Sequence, residues 1–101
     1  MSTSANELPQ ALAVDVNVSA DALTVSLADG RVISAPLDWY PRLAHGTPAE
    51  RRRWRLSGKG QGIHWPDLDE DISVDALLGG HRSNESPTSL KRWLTKRGRS
   101  S

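Results

Sequence analysis

Three short runs of alternating apolar residues follow one another near the start of the chain, and their spacing leaves little choice of local structure. In "ALAVDVNV", Leu12, Val14, Val16 and Val18 fall on one side and Ala13, Asp15 and Asn17 on the other, the period of two of a half-buried strand. "LTVSLAD" repeats the pattern with Leu23, Val25 and Leu27. Ala20 and Asp21 suit a tight connection between the two, and Asp29-Gly30 is a strong hairpin signal because the turn needs a positive backbone φ. Val32 to Leu37 then completes a three-stranded antiparallel meander. Pro36 has no N–H to give a ladder, so this third strand must end there or lie at an edge.

Beyond the meander the period changes. "DWYPRLAHG" predicts a short helical turn, with Asp38 as N-cap, Pro41 in the first turn and Gly46 as the stop. "TPAERRRWRLSG" predicts a longer helix that ends at Gly58: Thr47 is the N-cap, Pro48 the first helical residue, and Glu50 closes a capping box. Trp54 then docks this helix on the sheet while Arg51 to Arg53 stay partly solvated. The glycines of "GKGQG" form a loop into a short strand, "IHW". Ser73 caps a short helix that holds Leu77 and Leu78 and stops at Gly79 and Gly80. Ser86 and Pro87 announce a last helix, "PTSLKRWLTKR", whose apolar stripe of Leu90, Trp93 and Leu94 either folds back on the domain or faces a partner.

A chain of 101 residues is the size of one domain. Its hydrophobic share, 37%, is low, but Trp39, Trp54, Trp65 and Trp93 bring large apolar areas to a core. There is no cysteine, so a disulfide framework and a thiolate zinc site are both excluded. No run is long enough for a membrane span and "MSTSANELPQ" has no signal-peptide pattern, which makes the cytoplasm the expected location. Charge is unevenly placed. No Lys or Arg occurs in residues 1–30, five cations lie between Arg51 and Lys59, five anions between Asp67 and Asp75, and the tail is basic.

The densest chemistry lies in "GIHWPDLDED". Asp67, Asp69 and Asp71 alternate like the start of a calcium loop, but Ile72 stands where an EF-hand needs glycine and Leu78 where it needs a bidentate glutamate. An acid/base or single-ion site built from His64 with Asp69 or Asp71 remains open from the residue types alone. His45 and His81 fall in predicted loops. "GKGQG" follows a helix and enters a strand, the reverse of a phosphate-binding fingerprint, and no nucleophile motif is present. Structurally, Trp65 and Leu68 point inward, Pro66 fixes a bend and the acids stay outside, one or two of them paired with the arginine-rich helix.

Together, "DGRVISAPLDWYPRL", "TPAERRRWRL", "GQGIHWPDLDEDIS" and "LLGG" resemble the bacterial domain of unknown function 2442 family over roughly Val14 to Gly80, and "ESPTSLKRWLTKR" resembles an extension of longer members. The resemblance implies an α+β fold: a three-stranded antiparallel β-meander followed by short helices, a short fourth strand and a C-terminal helix. Residues 1–80 form the domain and 81–101 a basic connector and C-terminal helix. It implies no enzymatic activity. Such domains are often predicted to be antitoxin-like partners of a small toxin-like protein encoded beside them, and some members carry a DNA-binding domain behind this one; the tail here is too short for a full helix-turn-helix domain.

The expected function is therefore a non-enzymatic protein-binding module, without cofactor or metal, whose contact residues are Trp39, Tyr40, Arg42, His64, Trp65, Asp69, Asp71, Leu90, Trp93 and Leu94. The alternative is a nucleic-acid-binding regulator that uses Arg51, Arg52, Arg53, Arg55, Lys91, Arg92, Lys96 and Arg97, with Arg99 beyond them. A small enzyme using His64 and the acidic segment ranks behind both.

Overall fold

The computed structural model describes residues 11–98. Arg99 and the N-terminal "MSTSANELPQ" lie outside the described residues. The meander forms as its alternation predicts: β1 (Ala13–Val18), β2 (Ala22–Leu27) and β3 (Val32–Pro36) make one antiparallel sheet with β2 in the middle. Ser19 closes the first turn, its hydroxyl accepting from the N–H groups of Asp21 and Ala22 at 3.2 and 3.0 Å. At the second turn Gly30 takes φ +95°, and Asp29 accepts from the Arg31 backbone and guanidinium. β3 ends at Pro36 and is an edge strand.

The first strand departs from its pattern. A bulge between Ala13 and Asp15 shifts the register against β2, so Ala13 is buried and Val14 is 54% exposed, the reverse of the simple alternation. Val16 and Val18 keep the inward face. On β2, Leu23, Val25 and Leu27 are all buried.

After the meander, a 3₁₀ turn (Leu37–Trp39) leads into α1 (Pro41–Ala44). Tyr40, rather than Asp38, occupies the N-cap position of α1, with no side-chain cap bond. The capping box of α2 (Pro48–Arg52) is present, Thr47 and Glu50 exchanging bonds at 3.1 and 2.9 Å. This helix is shorter than its sequence predicts. It ends at Arg52, and Arg55–Ser57 form β4, so Trp54 is half-buried in the link between helix and strand rather than docked from a helix face. One turn of good cap chemistry does not extend the helix through Arg55, Leu56 and Ser57 when their backbone is paired in a sheet.

That second sheet has the order β4-β5-β6, with β5 (Gly62–Trp65) central and β6 (Glu70–Ser73) beyond the acidic turn. The sequence pointed to one strand here; the sheet contains three. The linking turn at Gly58–Gly60 lies against β1: a Cβ on Gly60, where φ is +106°, would fall 2.7 Å from the Ala13 carbonyl oxygen. Ser73 caps α3 (Val74–Leu78) by accepting from the Ala76 N–H at 3.1 Å.

The last helix, α4 (Pro87–Lys96), is capped by Ser86 and folds back on the domain. Trp93 is only 8% exposed and joins the core cluster with Leu23, Val25, Leu43, Ile63, Trp65 and Leu68, while Leu90 and Leu94 pack against it. The stripe predicted as a candidate partner surface is thus covered by the chain's own core. Among the described residues no helix is long and apolar enough to cross a membrane.

Candidate functional site

Alternation along β6 places Glu70 and Ile72 on the same, core-facing side, because Glu70 pairs with Trp65 and Ile72 with Ile63, both fully buried. Ile72 completes the core. Glu70, at the start of the strand, opens instead into a cleft of about 260 Å³ between β6 and the connector that precedes α4. Buried Tyr40 and Ile72 lie at its base; Asp71, Ser73 and Ala76 line one side, and His81, Arg82, Ser83 and Asn84 the other.

The connector is held in place by the chain segment before α1. The Ser83 N–H donates to the Trp39 carbonyl at 3.0 Å, the Tyr40 hydroxyl donates to the His81 carbonyl at 3.2 Å, and the Arg82 guanidinium lies 5.0 Å from the Trp39 ring centroid. Its far end is tied by Arg42, which donates to both oxygens of Glu85 at 2.6 and 2.7 Å and to the Asp69 carbonyl at 2.9 Å, and lies over the Trp93 ring. Ser89 adds a third bond to Glu85 at 2.6 Å.

Electrostatics separate the two glutamates. The bond from Arg42 is the main reason the Glu85 carboxyl sits below its ordinary value. Among the described residues none gives the Glu70 carboxyl a hydrogen bond or ion pair, and burial pushes it up to about 7; Arg42 opposes this, while Glu85, Asp71 and Asp69 reinforce it. Tyr40 is raised as well, first by burial and then by Glu70. Every other half-buried charged side chain among the described residues has a partner: Arg42 with Glu85, Arg97 with Glu50 at 3.0 Å, His64 with Asp71 at 2.9 Å, and Arg51 donating to the Leu43 and Ala44 carbonyls.

Six of the residues chosen from the sequence as partner contacts come together here. Trp39 and Tyr40 flank the connector, Arg42 anchors it, Asp71 lines the cleft with His64 bonded behind it, and Asp69, 82% exposed, sits beside Arg42 at a left-handed backbone position. The remaining four are elsewhere. Trp65 is fully buried and donates its indole N–H to the Arg51 carbonyl at 3.1 Å, so it is a core residue. Leu90, Trp93 and Leu94 hold α4 to the core.

The basic residues do not form one surface. Arg51 is engaged by backbone carbonyls, Arg53 pairs with Asp67 at 3.0 Å, and Arg97 is held by Glu50 and lies over Trp93 at 4.7 Å. Arg55 is on β4 rather than on the helix that holds Arg51 and Arg52, and Arg53 lies in the link between the two. On α4, Arg92 and Lys96 line a separate groove of about 210 Å³ with Arg42, Asp69, Ser89 and Trp93; Lys91 is exposed. No group of three or more metal-ligating side chains occurs among the described residues.

Glu70 was not singled out by the sequence reading, although the alternation of "EDIS" carries a signal for it: a residue two before a buried isoleucine shares its face. Glu85 has no such signal, because its partner lies 43 residues away.

Solved structures share this architecture. A crystal structure of a protein of unknown function from Rhodospirillum rubrum matches with a TM-score of 0.65 and 23% identity, over 76% of this chain and 95% of that one. A solution structure of an uncharacterised protein from Chromobacterium violaceum matches with a TM-score of 0.62 and 24% identity, over 89% and 79%. At these identities the likeness concerns the fold. No curated protein matches the chain. The family model described as "Protein of unknown function (DUF2442)" matches residues 13–83, which include both sheets and the cleft wall through Ser83, and the chain belongs to that family.

Proposed function

We propose that this domain is a small non-enzymatic protein-binding module, the antitoxin-like partner of a neighbouring toxin-like protein in the cytoplasm. The observation that supports this reading is convergence: Tyr40 and Asp71, from two separate stretches of chain, line the Glu70 cleft, Trp39 and Arg42 hold the connector that walls it, and Asp69 and His64 are bonded to Arg42 and Asp71. A half-buried tryptophan, a tyrosine and an arginine within one such patch are the residue types that carry binding energy at protein interfaces. The acids around the cleft would repel a nucleic-acid backbone, and the arginines of the 51–55 run are divided among internal bonds and separate elements.

The test is co-purification from the native host with three forms of the tagged full-length chain. A specific partner should accompany the wild type and the triple variant Lys91→Gln, Arg92→Gln, Lys96→Gln, and be lost from Trp39→Ala combined with Asp71→Lys. Retention by the face variant with loss from the α4 variant would overturn the reading in favour of the basic helix.

A further inference from the structure

We infer that the cleft beside Glu70 receives one basic side chain, an arginine or lysine of the partner protein, whose charged head supplies the bond that the Glu70 carboxylate lacks within the fold. This rests on the protein-binding reading above. Its basis is a contrast among the half-buried charges of the described residues: the side chains of Arg42, Glu50, Arg51, His64, Glu85 and Arg97 all have hydrogen-bonded partners there, and that of Glu70 has none. A desolvated carboxylate without a partner is costly, so a fold that keeps one open to a cleft gains most from a ligand of opposite charge.

The surroundings select for the same chemistry. Asp71 lines the cleft beside Glu70, and Asp69 and Glu85 add negative potential. Arg42 is the cation that opposes the upward shift of Glu70, but its guanidinium is engaged by both oxygens of Glu85 and by Asp69. On the connector side Arg82, His81 and Tyr40 line the same space, but the Arg82 guanidinium lies over Trp39 and the Tyr40 hydroxyl donates to the His81 carbonyl. Ser83 and Asn84 line the wall, the Ser83 hydroxyl already accepting from the Glu85 N–H at 3.0 Å, and Tyr40 adds an aromatic residue, a mixture of polar and apolar lining that suits a guanidinium or ammonium on an aliphatic stem. At about 260 Å³ the cleft is below the roughly 300–1,000 Å³ that enclose drug-sized molecules, and a single side chain is the matching size.

Three small probes test this on the full-length protein by backbone amide NMR: N-acetyl-arginine methylamide, N-acetyl-lysine methylamide, and the uncharged near-isostere N-acetyl-citrulline methylamide. The two basic probes should give saturable shifts centred on Glu70, Asp71, Ser83 and Asn84, with a dissociation constant on the order of millimolar, and the citrulline probe none. Glu70→Gln should weaken the basic probes about tenfold or more, as expected for loss of a charge-assisted hydrogen bond. The wild type alone provides a second arm: affinity should rise as pH rises through the neutral range, with a proton released on binding, because Glu70 must ionise to receive the cation. Absence of saturable shifts, equal binding of citrulline, or unchanged affinity in a folded Glu70→Gln variant would each overturn the inference. If the probes fail while a partner is still lost from the Trp39 and Asp71 variant, the protein-binding reading stands and the basic side chain falls. If the probes bind while that variant keeps its partner, the cleft stands as a cation site and the face reading falls.

Discussion

Replacing Glu70 by glutamine should stabilise the protein at high pH and leave it unchanged in acid. The carboxyl ordinarily ionises at 4.5 and in the fold is pushed up to about 7, chiefly by burial. Because the folded value is the higher one, the folded state binds the proton more tightly than the unfolded chain. Stability from this group is therefore complete below pH 4.5, declines as pH rises from there, and levels off above about 7. Taken at face value, the displacement corresponds to roughly 3 kcal/mol. The carboxyl is partly open to the cleft, and solvent screening brings the expected figure to about 1.5 kcal/mol. For a domain of this size that is a rise in melting temperature of about 6–12 °C at pH values near 8, shrinking to nothing near pH 4. The measurement is thermal or urea unfolding of wild type and variant across that range. The difference between the two is the quantity to follow, since Glu50, Glu85 and Asp29, whose carboxyls are all held low, weaken both proteins equally in acid. A variant less stable than wild type at pH 8, or an offset that persists unchanged at pH 4, would refute the reasoning.

Glu85→Gln breaks the two-pronged bond to Arg42, whose side chain is only 16% exposed, and should cost about 2 kcal/mol at neutral pH by urea unfolding. Since Glu85 is held below its ordinary value, that contribution is present above about pH 4.5 and is lost as pH falls through the lower folded value, so the gap between wild type and variant should narrow in strong acid. Trp93→Ala should cost about 3 kcal/mol in the free protein, through lost core volume and the loss of the ring beneath Arg42 and Arg97; a loss below about 1 kcal/mol would mean that α4 is not part of the core. Gly60→Ala should be more damaging than Gly30→Ala in the same assay. Both glycines have positive φ, but only at Gly60 does the new Cβ meet backbone, at 2.7 Å from the Ala13 oxygen.

Local chemistry decided much of this fold and was legible in the residues. The alternation of Leu23, Val25 and Leu27, the Asp29-Gly30 turn, the edge position of Pro36, and the Thr47, Ser73 and Ser86 caps each depend on interactions within a few residues, and each stands in the structure. The inward placement of Trp65 and Leu68 in the acidic turn was legible for the same reason.

Interactions between distant segments were set by tertiary structure. The bulge that turns Val14 outward comes from pairing with β2, and the helix predicted through Gly58 yields to β4 because Leu56 pairs with Ile63. Trp93 has the spacing of an amphipathic helix whichever way it faces; only packing on the core and on Arg42 and Arg97 chooses the inward orientation. The candidate site depends on both levels. Its residues are individually visible in the sequence, but the cleft exists because Ser83 reaches Trp39, Tyr40 reaches His81 and Arg42 reaches Glu85. Those closures span about 40 residues of chain, and no local preference encodes them: they form only once burial of the common core has brought the segments together.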